Sequence, residues 1–358
     1  VYKPSATMMI TMFMLFAFAS GWGMNSAYAD DKEKGNAPKT TVADRAPAAP
    51  SDSTEEVDAG PALATSGRNG DSPASSPTHS GNRAEESPPA SVQTGYAMIG
   101  GAKLYYEVLG EGPPLVLIHG GMVDRRMWDD QFEVFARHYR VIRYDVRQHG
   151  KTRSRPEAYA NHEDLYALLK HLNIDKAFIM GLSMGGGIAI DFTLAHPEMV
   201  RALIPVAPGL SGYQATSEGV KEDTAGLMAA LREGDFDRAV EFALRAWTDG
   251  PRRTPAEVDP VVRERVRVML AKGMVRAQYQ RQAQPLEPPA IGRLSEIRVP
   301  TLAIVGDLDM PDILVIVDSL VREIAGAKKV VIPGVAHMVN MEKPAEFNRI
   351  VLEFLADR

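Results

Sequence analysis

Ala177-Phe-Ile-Met-Gly-Leu-Ser-Met-Gly-Gly-Gly-Ile-Ala-Ile-Asp-Phe-Thr-Leu-Ala195 is the stretch on which the fold turns. Ala177 to Met180 have the length and character of a buried strand, and Ile188 to Ala195 those of a helix. Between them stands Gly181-Leu182-Ser183-Met184-Gly185. A chain that passes from strand to helix this abruptly brings the backbone on either side of the serine together. Glycine is needed at both flanks, where Cβ atoms would collide. The turn lifts the Ser183 hydroxyl above the sheet at a helix N-terminus, where the dipole favours negative charge. Ser183 is therefore the candidate nucleophile. Gly185-Gly186-Gly187 does not complete the G-x-G-x-x-G spacing, so no dinucleotide site is read here.

The same rhythm continues on both sides. Met98-Ile99, Gly100-Gly101 and Leu104-Tyr-Tyr-Glu-Val108 read as a hairpin. Leu115-Val-Leu-Ile118, after Pro113-Pro114, suits a buried strand. Val141-Ile-Arg-Tyr144, Ala202-Leu-Ile-Pro-Val206, Thr301-Leu-Ala-Ile-Val305 and Lys329-Val-Val-Ile332 are further strands. Leu165, Leu168, Leu169 and Leu172 share one helical face, and a last helix runs from Pro344 to Ala356. Strands alternating with helices predict an α/β fold: a mostly parallel sheet with helices on both faces. From about Gly209 to Ala290 no strand-like run occurs. Charged amphipathic patterns such as Asp237–Arg245 and Val261–Val268 predict a helical insertion of about 80 residues between two strands.

The N-terminal part differs. Among residues 1–29 Lys3 is the only charge; the 12-residue apolar run Met8–Ala19 follows, and Ala27-Tyr28-Ala29 precedes Asp30. That is the order of a secretory signal peptide with an A-x-A cleavage site. A membrane anchor is the alternative, but a spanning helix needs about 20 apolar residues. Residues 30–95 read as a disordered linker: 34 of the 66 are Ala, Pro, Ser or Gly, and none is aromatic. Such a segment buries too little apolar surface to offset its chain entropy. It carries a net charge of −5 out of −6 for the whole chain, so the folded part, residues 96–358, is nearly neutral. No basic excess points to a nucleic acid. With no cysteine in 358 residues, disulfides, thiolate nucleophiles and Cys-ligated metals are excluded. The expected location is secreted or periplasmic, or membrane-anchored at the N-terminus if the signal is not cleaved.

A serine hydroxyl needs a base to take its proton. Of eight histidines, His337 lies in the loop Pro333-Gly-Val-Ala-His-Met-Val339, directly after the last strand. In parallel α/β sheets, sites gather at the carboxyl ends of strands, so His337 is the candidate base. His119, ending a strand ahead of a Gly pair, and His149, in Asp145-Val-Arg-Gln-His-Gly150, are read as loop-stabilising. The base needs an acid to hold its tautomer. Val305-Gly306-Asp307-Leu308-Asp309 follows the next-to-last strand, and either carboxylate could serve. An oxyanion needs two aimed donors: the amide of Met184, and one from His119-Gly120-Gly121-Met122. Gly121 is preferred because glycine lets the backbone come close, with Met122 next.

Residues 96–358 resemble a lid-bearing α/β-hydrolase of the enol-lactonase-, perhydrolase- and esterase-like branch. The matching stretches are Gly110–Gly121, Arg126-Met-Trp128, Asp145–Gly150, Gly181–Gly186, His196–Leu203 and Ala336–Pro344. Gln148 stands where the family commonly has glycine. The order Ser, Asp, His is that of the α/β-hydrolases. The resemblance implies that the 209–290 insertion is a helical cap and that the pocket lies between cap and sheet. Asp309 is preferred to Asp307 as the acid. It reaches further toward the histidine loop, Pro311 could hold its turn, and similar hydrolases place the acid last in a G-x-x-D stretch.

Met122, Met184, Met310 and Met338 beside the motifs suggest a broad, adaptable acyl pocket. Arg125 or Arg126 could grip a carboxylate, and Trp247, Phe242 and Phe236 could line the mouth. The candidate substrate-binding residues are thus Met122, Arg126, Trp247 and Met338. The expected function is an exported serine hydrolase cleaving a carboxylic ester, lactone or thioester, with no metal or organic cofactor and a small-molecule substrate. C–C bond hydrolysis or perhydrolysis with the same triad is the alternative. A ligand-binding or signalling protein with a vestigial triad is the alternative of another class.

Overall fold

The computed structural model describes residues 91–155, 157–277, 283–356 and 358. The signal-peptide reading of 1–29, and the linker reading of 30–95 as far as residue 90, concern residues outside these. Strand β1 (Gln93–Ile99) and β2 (Ala102–Leu109) form an antiparallel hairpin with Ile99 opposite Ala102. Gly100 and Gly101 turn it at φ 44° and 70°, as a two-residue hairpin loop requires. The strand takes in Gln93 to Gly95, which composition alone assigns to the linker. Tyr106 lies across from Gly95, and a Cβ there would sit 2.4 Å from its hydroxyl oxygen. The glycine makes room for an aromatic ring on an edge strand.

Strands β3 (Pro114–Ile118), β4 (Arg140–Tyr144), β6 (Ala177–Leu182), β7 (Val200–Val206), β8 (Leu302–Gly306) and β9 (Lys328–Ile332) run parallel. The two-residue β5 (Arg153–Ser154) pairs with β2, and the sheet order is β1-β2-β4-β3-β6-β7-β8-β9. Alternation sorts the strand side chains into two cores. Leu115, Leu117, Phe178 and Met180 belong to one; Val116, Ile118, Ala177 and Ile179 to the other. Helices α1 (Asp129–Ala136) and α9 (Pro344–Leu355) cover the first face. Helices α2 (Asn161–His171), α3 (Met184–Ala195) and α7 (Pro311–Glu323) cover the second. Because both faces are buried, the central strands are continuously apolar rather than alternating.

Strand order reverses between β3 and β6. The loops leaving their carboxyl ends therefore diverge to opposite sides and open a crevice. Among the described residues, the α-helices α4 (Glu218–Glu233), α5 (Phe236–Leu244) and α6 (Pro260–Ala277) lie between β7 and β8. One π-helical turn, Arg245–Asp249, follows α5. Ala239, Val240, Val266, Met269 and Leu270 from this segment join Met122, Val123 and Met127 in the first core. Gly273 brings α6 onto the loop after β3: a Cβ there would lie 2.2 Å from the Met122 carbonyl oxygen. Among the described residues, no helix is long and apolar enough to cross a membrane.

Candidate active site

Ser183 sits between β6 and α3 at φ 55°, ψ −115°. A non-glycine residue in such a region carries on the order of 1–3 kcal/mol of strain and persists only where its surroundings hold it. They do so on both sides. Its amide donates to the Val206 carbonyl at 2.9 Å, and its carbonyl accepts from Gly187 and Gly209 at 3.0 and 2.9 Å. A Cβ on Gly181 would meet the Gly185 carbonyl at 2.1 Å, and one on Gly185 would meet the Ile118 carbonyl at 2.2 Å. The two glycines thus let the turn close and let it seat against the end of β3.

His337 and Asp309 come together. The His337 Nδ1 lies 3.0 Å from Asp309 Oδ2 and 3.1 Å from Oδ1, with both side chains buried. The Met310 amide donates to Asp309 Oδ1 at 2.7 Å. Facing a carboxylate, Nδ1 carries the proton, which leaves a lone pair on Nε2. That Nε2 is buried and has no hydrogen-bond partner. Asp307 is turned elsewhere: its Oδ1 accepts from the Gly334 amide at 2.6 Å. It shapes the loop that precedes His337.

The segment His119–Met122 lies beside the Ser183 turn, since a Cβ on Gly185 would also meet the His119 carbonyl at 2.7 Å. Among the described residues, the amides of Gly121, Met122 and Met184 donate to no protein acceptor. The loop is braced from below. The Gly120 amide donates to Met127 Sδ, whose residue's carbonyl accepts from Asn340 Nδ2 at 2.8 Å. His119 Nδ1 bonds the Gly120 carbonyl at 2.7 Å, and its Nε2 accepts from the Val146 amide at 2.9 Å. Burial pushes both His119 and His149 down to about 4. Their rings stand 5.1 Å apart. Each is a neutral prop at neutral pH.

Both arginines after the loop His119–Met122 are paired with carboxylates of this chain. Arg125 is buried between Glu107 at 2.7 Å and Asp145 at 3.0 Å. Burial opposes ionisation of Glu107, but Arg125 and Arg143 outweigh it and hold its carboxyl below the usual range. Arg126 is bound by both oxygens of Asp124, at 2.8 and 2.6 Å. Met122 and Met338 are packed in the first core, which is where their apolar bulk is spent. Phe236 and Phe242 pack on that core as well, and Trp247 packs on both. Met184 is different: it lines a cavity of about 60 Å³ that runs along α3 to Asp191 and Ser211. Burial pushes Asp191 up to about 6. Among the described residues no group of three or more His, Asp or Glu side chains could hold a metal ion.

Residues 115–350 match the model of the alpha/beta hydrolase family. The chain belongs to this family. It is 28% identical over 259 residues to (E)-2-((N-methylformamido)methylene)succinate hydrolase of Acinetobacter baylyi, spanning 70% of this chain and 93% of the relative. It is 30% identical over 278 residues to 2-hydroxy-6-oxononadienedioate/2-hydroxy-6-oxononatrienedioate hydrolase of Paraburkholderia xenovorans, spanning 72% of this chain and 92% of the relative. A solved carboxylesterase structure from the thaumarchaeon Nitrososphaera gargenis superposes with a TM-score of 0.61 at 27% identity, covering 74% of this chain and 98% of that one. These relatives are hydrolases, and the family match makes this chain an α/β-hydrolase.

Sequence reading passed over four residues around the site of this hydrolase. Met127 and Asn340 tie the loop after β3 to the helix α8 (Val339–Glu342). Arg253 and Glu342 form a buried ion pair next to the His337 loop. Arg253 and Glu342 are 89 residues apart, and no local pattern marks them as partners. The matching stretches Arg126-Met-Trp128 and Ala336–Pro344 carried a signal for Met127, Asn340 and Glu342, and no motif marked Arg253.

Proposed function

We propose that this α/β-hydrolase is an exported serine hydrolase that cleaves a carboxylic ester, lactone or thioester through an acyl-enzyme. One observation carries the reading. A serine held at φ 55° between two close-approach glycines accompanies a buried His337–Asp309 pair whose Nε2 lone pair is unengaged. Export rests on the order of charge, apolar run and Ala27-Tyr28-Ala29 in the first 29 residues.

In this mechanism Ser183 Oγ attacks the carbonyl carbon while His337 Nε2 takes its proton. Asp309 accepts from Nδ1–H, keeps the ring in the tautomer that leaves Nε2 basic, and stabilises the imidazolium. The carbonyl oxygen becomes an oxyanion held by the amides of Gly121 and Met184. Collapse of the tetrahedral intermediate breaks the bond to the leaving alcohol or thiol, which receives the proton from His337. Water, deprotonated by the same nitrogen, then attacks the acyl-Ser183 carbonyl and releases the acid. Apo enzymes often hold the Ser–His contact long, and it tightens on the substrate. Helices α4–α6 act as the cap over the site, a role supported by the seat of Gly273 on Met122.

The test is turnover of p-nitrophenyl esters of two to eight acyl carbons, with a phosphonate label mapped by peptide mass spectrometry. Ser183→Ala should lower turnover by at least about a thousandfold and abolish labelling, since such residues act as a unit. Retention of more than a tenth of the activity would overturn the serine mechanism. The Paraburkholderia relative favours a second reading, hydrolysis of a C–C bond in a dienoate. A dienedioate calls for a free cation, whereas Arg125 and Arg126 are both engaged by carboxylates. The ester reading is therefore preferred, and assaying a 2-hydroxy-6-oxodienedioate beside the ester series decides between them.

A further inference from the structure

Arg253 follows the π-helical turn of the segment between β7 and β8, and Glu342 closes α8, five residues after His337. The Arg253 guanidinium grips both carboxylate oxygens of Glu342, at 2.6 and 3.1 Å. Its Nε donates to the Asp249 carbonyl and one terminal nitrogen to the Thr248 carbonyl, both at 2.8 Å. A further N–H reaches the Gly334 carbonyl at 3.5 Å, so each of the five donors has an acceptor. The two side chains are only 8% and 6% exposed. Glu342 Oε1 in turn accepts from the Ala336 amide at 3.1 Å. Gly250, at φ 75°, fits between the two loops that carry acid and base. A Cβ there would meet Ala336 Cβ at 2.7 Å and the Leu308 carbonyl at 2.9 Å.

Arg253 thus touches no reacting atom, yet it ends a chain of bonds that reaches the residue before His337. We propose that Arg253 is a positioning residue for the base. It neutralises and orients Glu342, whose carboxylate fixes the Ala336 amide and so sets His337 against Asp309. The inference rests on the serine-hydrolase reading and adds a residue to it. Its physical core is a charge held in one geometry by the forked, two-point grip of the guanidinium on Glu342. A buried carboxylate with its partner removed does not stay where it was, because an unpaired charge in such a place is strongly disfavoured. It swings toward water and releases the Ala336 amide. A neutral amide at position 342 has no such drive and keeps a carbonyl oxygen for the same N–H.

Four variants test this: Arg253→Met, Arg253→Lys, Glu342→Gln and the double Arg253→Met/Glu342→Gln. Each is assayed for kcat and KM on a p-nitrophenyl ester, with phosphonate titration to count intact sites. Arg253→Met should lower kcat per titrated site by about tenfold or more with KM within about twofold, since a small misplacement of a catalytic group is costly. Glu342→Gln alone should cost under about threefold, and in the Arg253→Met background it should restore kcat to within about threefold of wild type. A residue that merely clips the Thr248 and Asp249 carbonyls would show no such rescue. Should Arg253→Met not fold, Arg253→Lys still decides. It keeps the charge without the fork, and the His337 Nδ1–H proton resonance should shift in it but not in Glu342→Gln. An unchanged kcat in Arg253→Met, an unrescued double variant, or an unshifted resonance in Arg253→Lys would overturn the inference. Activity surviving in Ser183→Ala would overturn the underlying mechanism instead.

Discussion

Asp309→Asn is the sharpest test of the chemistry because the structure says which way the new amide must face. Asp309 Oδ1 takes the Met310 amide at 2.7 Å and lies 3.1 Å from His337 Nδ1, while Oδ2 has, among the described residues, no other partner than Nδ1, at 3.0 Å. An asparagine has one acceptor oxygen and one donor nitrogen. The Met310 N–H is fixed in the backbone and can only donate, so the oxygen stays with it. The NH₂ group then points at His337 Nδ1, which can accept only if the imidazole proton moves to Nε2. A protonated, neutral Nε2 cannot take the Ser183 proton. The expected loss in kcat is about 10⁴, or roughly 5.5 kcal/mol in the barrier. Reversing the amide would set NH₂ against the Met310 N–H, a donor facing a donor, and leave that buried amide unpaired. Asp307→Asn keeps an oxygen for the Gly334 amide and should cost under about tenfold. Steady-state turnover of a p-nitrophenyl ester, with circular dichroism and thermal melting on both variants, makes the measurement. If folded Asp309→Asn keeps more than about a hundredth of wild-type kcat, or if the two losses are reversed, the tautomer argument fails.

Three further outcomes are expected. His119 and His149 are pushed from 6.5 to about 4 by burial. The unfolded chain therefore binds protons from about pH 6.5 downward while the native state does not. Stability should fall between pH 6.5 and 4 by on the order of 3 kcal/mol for each ring. Denaturant melts across that range should show a shallower fall in His149→Gln, and an unchanged slope would refute the assignment. Gly273→Ala would drive a methyl group to 2.2 Å from the Met122 carbonyl. It should lift α6 from the loop that carries Gly121 and reduce ester turnover by about tenfold or more. Wild-type turnover and melting temperature together would mean that the contact is not maintained in solution. Mass spectrometry of exported protein should find Asp30 at the N-terminus; recovery of the uncleaved chain in the membrane fraction would favour the anchor.

Periodicity and glycine placement were written in the sequence. Leu115–Ile118 and Ala177–Met180 are apolar without alternation because both sheet faces are covered, and a run of neighbours records that. Gly181 had to be glycine because its Cβ would meet the Gly185 carbonyl across a turn four residues long, a short-range steric demand, whereas Gly185 is required by the end of β3, a contact that only the tertiary fold makes. Ser183 and His337 were legible because each follows a strand at the edge where such sheets place their sites. Strand position alone did not separate Asp307 from Asp309; the preference for Asp309 rested on its reach, on Pro311 and on the G-x-x-D pattern of similar hydrolases. The two differ by two residues, and what separates them is the distance from one loop to another: Asp309 reaches His337, and Asp307 reaches Gly334. Arg125 and Arg126 looked like free cations beside a pocket. Their partners are Glu107 and Asp145 on neighbouring strands and loops, and Asp124 folded back by the turn. The Arg253–Glu342 pair joins two segments that only the packing of the β7–β8 helices on the His337 loop brings together. Backbone sterics and hydrophobic period act between neighbours, so the sequence determines them by itself. Ion pairs and hydrogen bonds depend on separations of about 3 Å between groups far apart in the chain, and only the tertiary structure decides those.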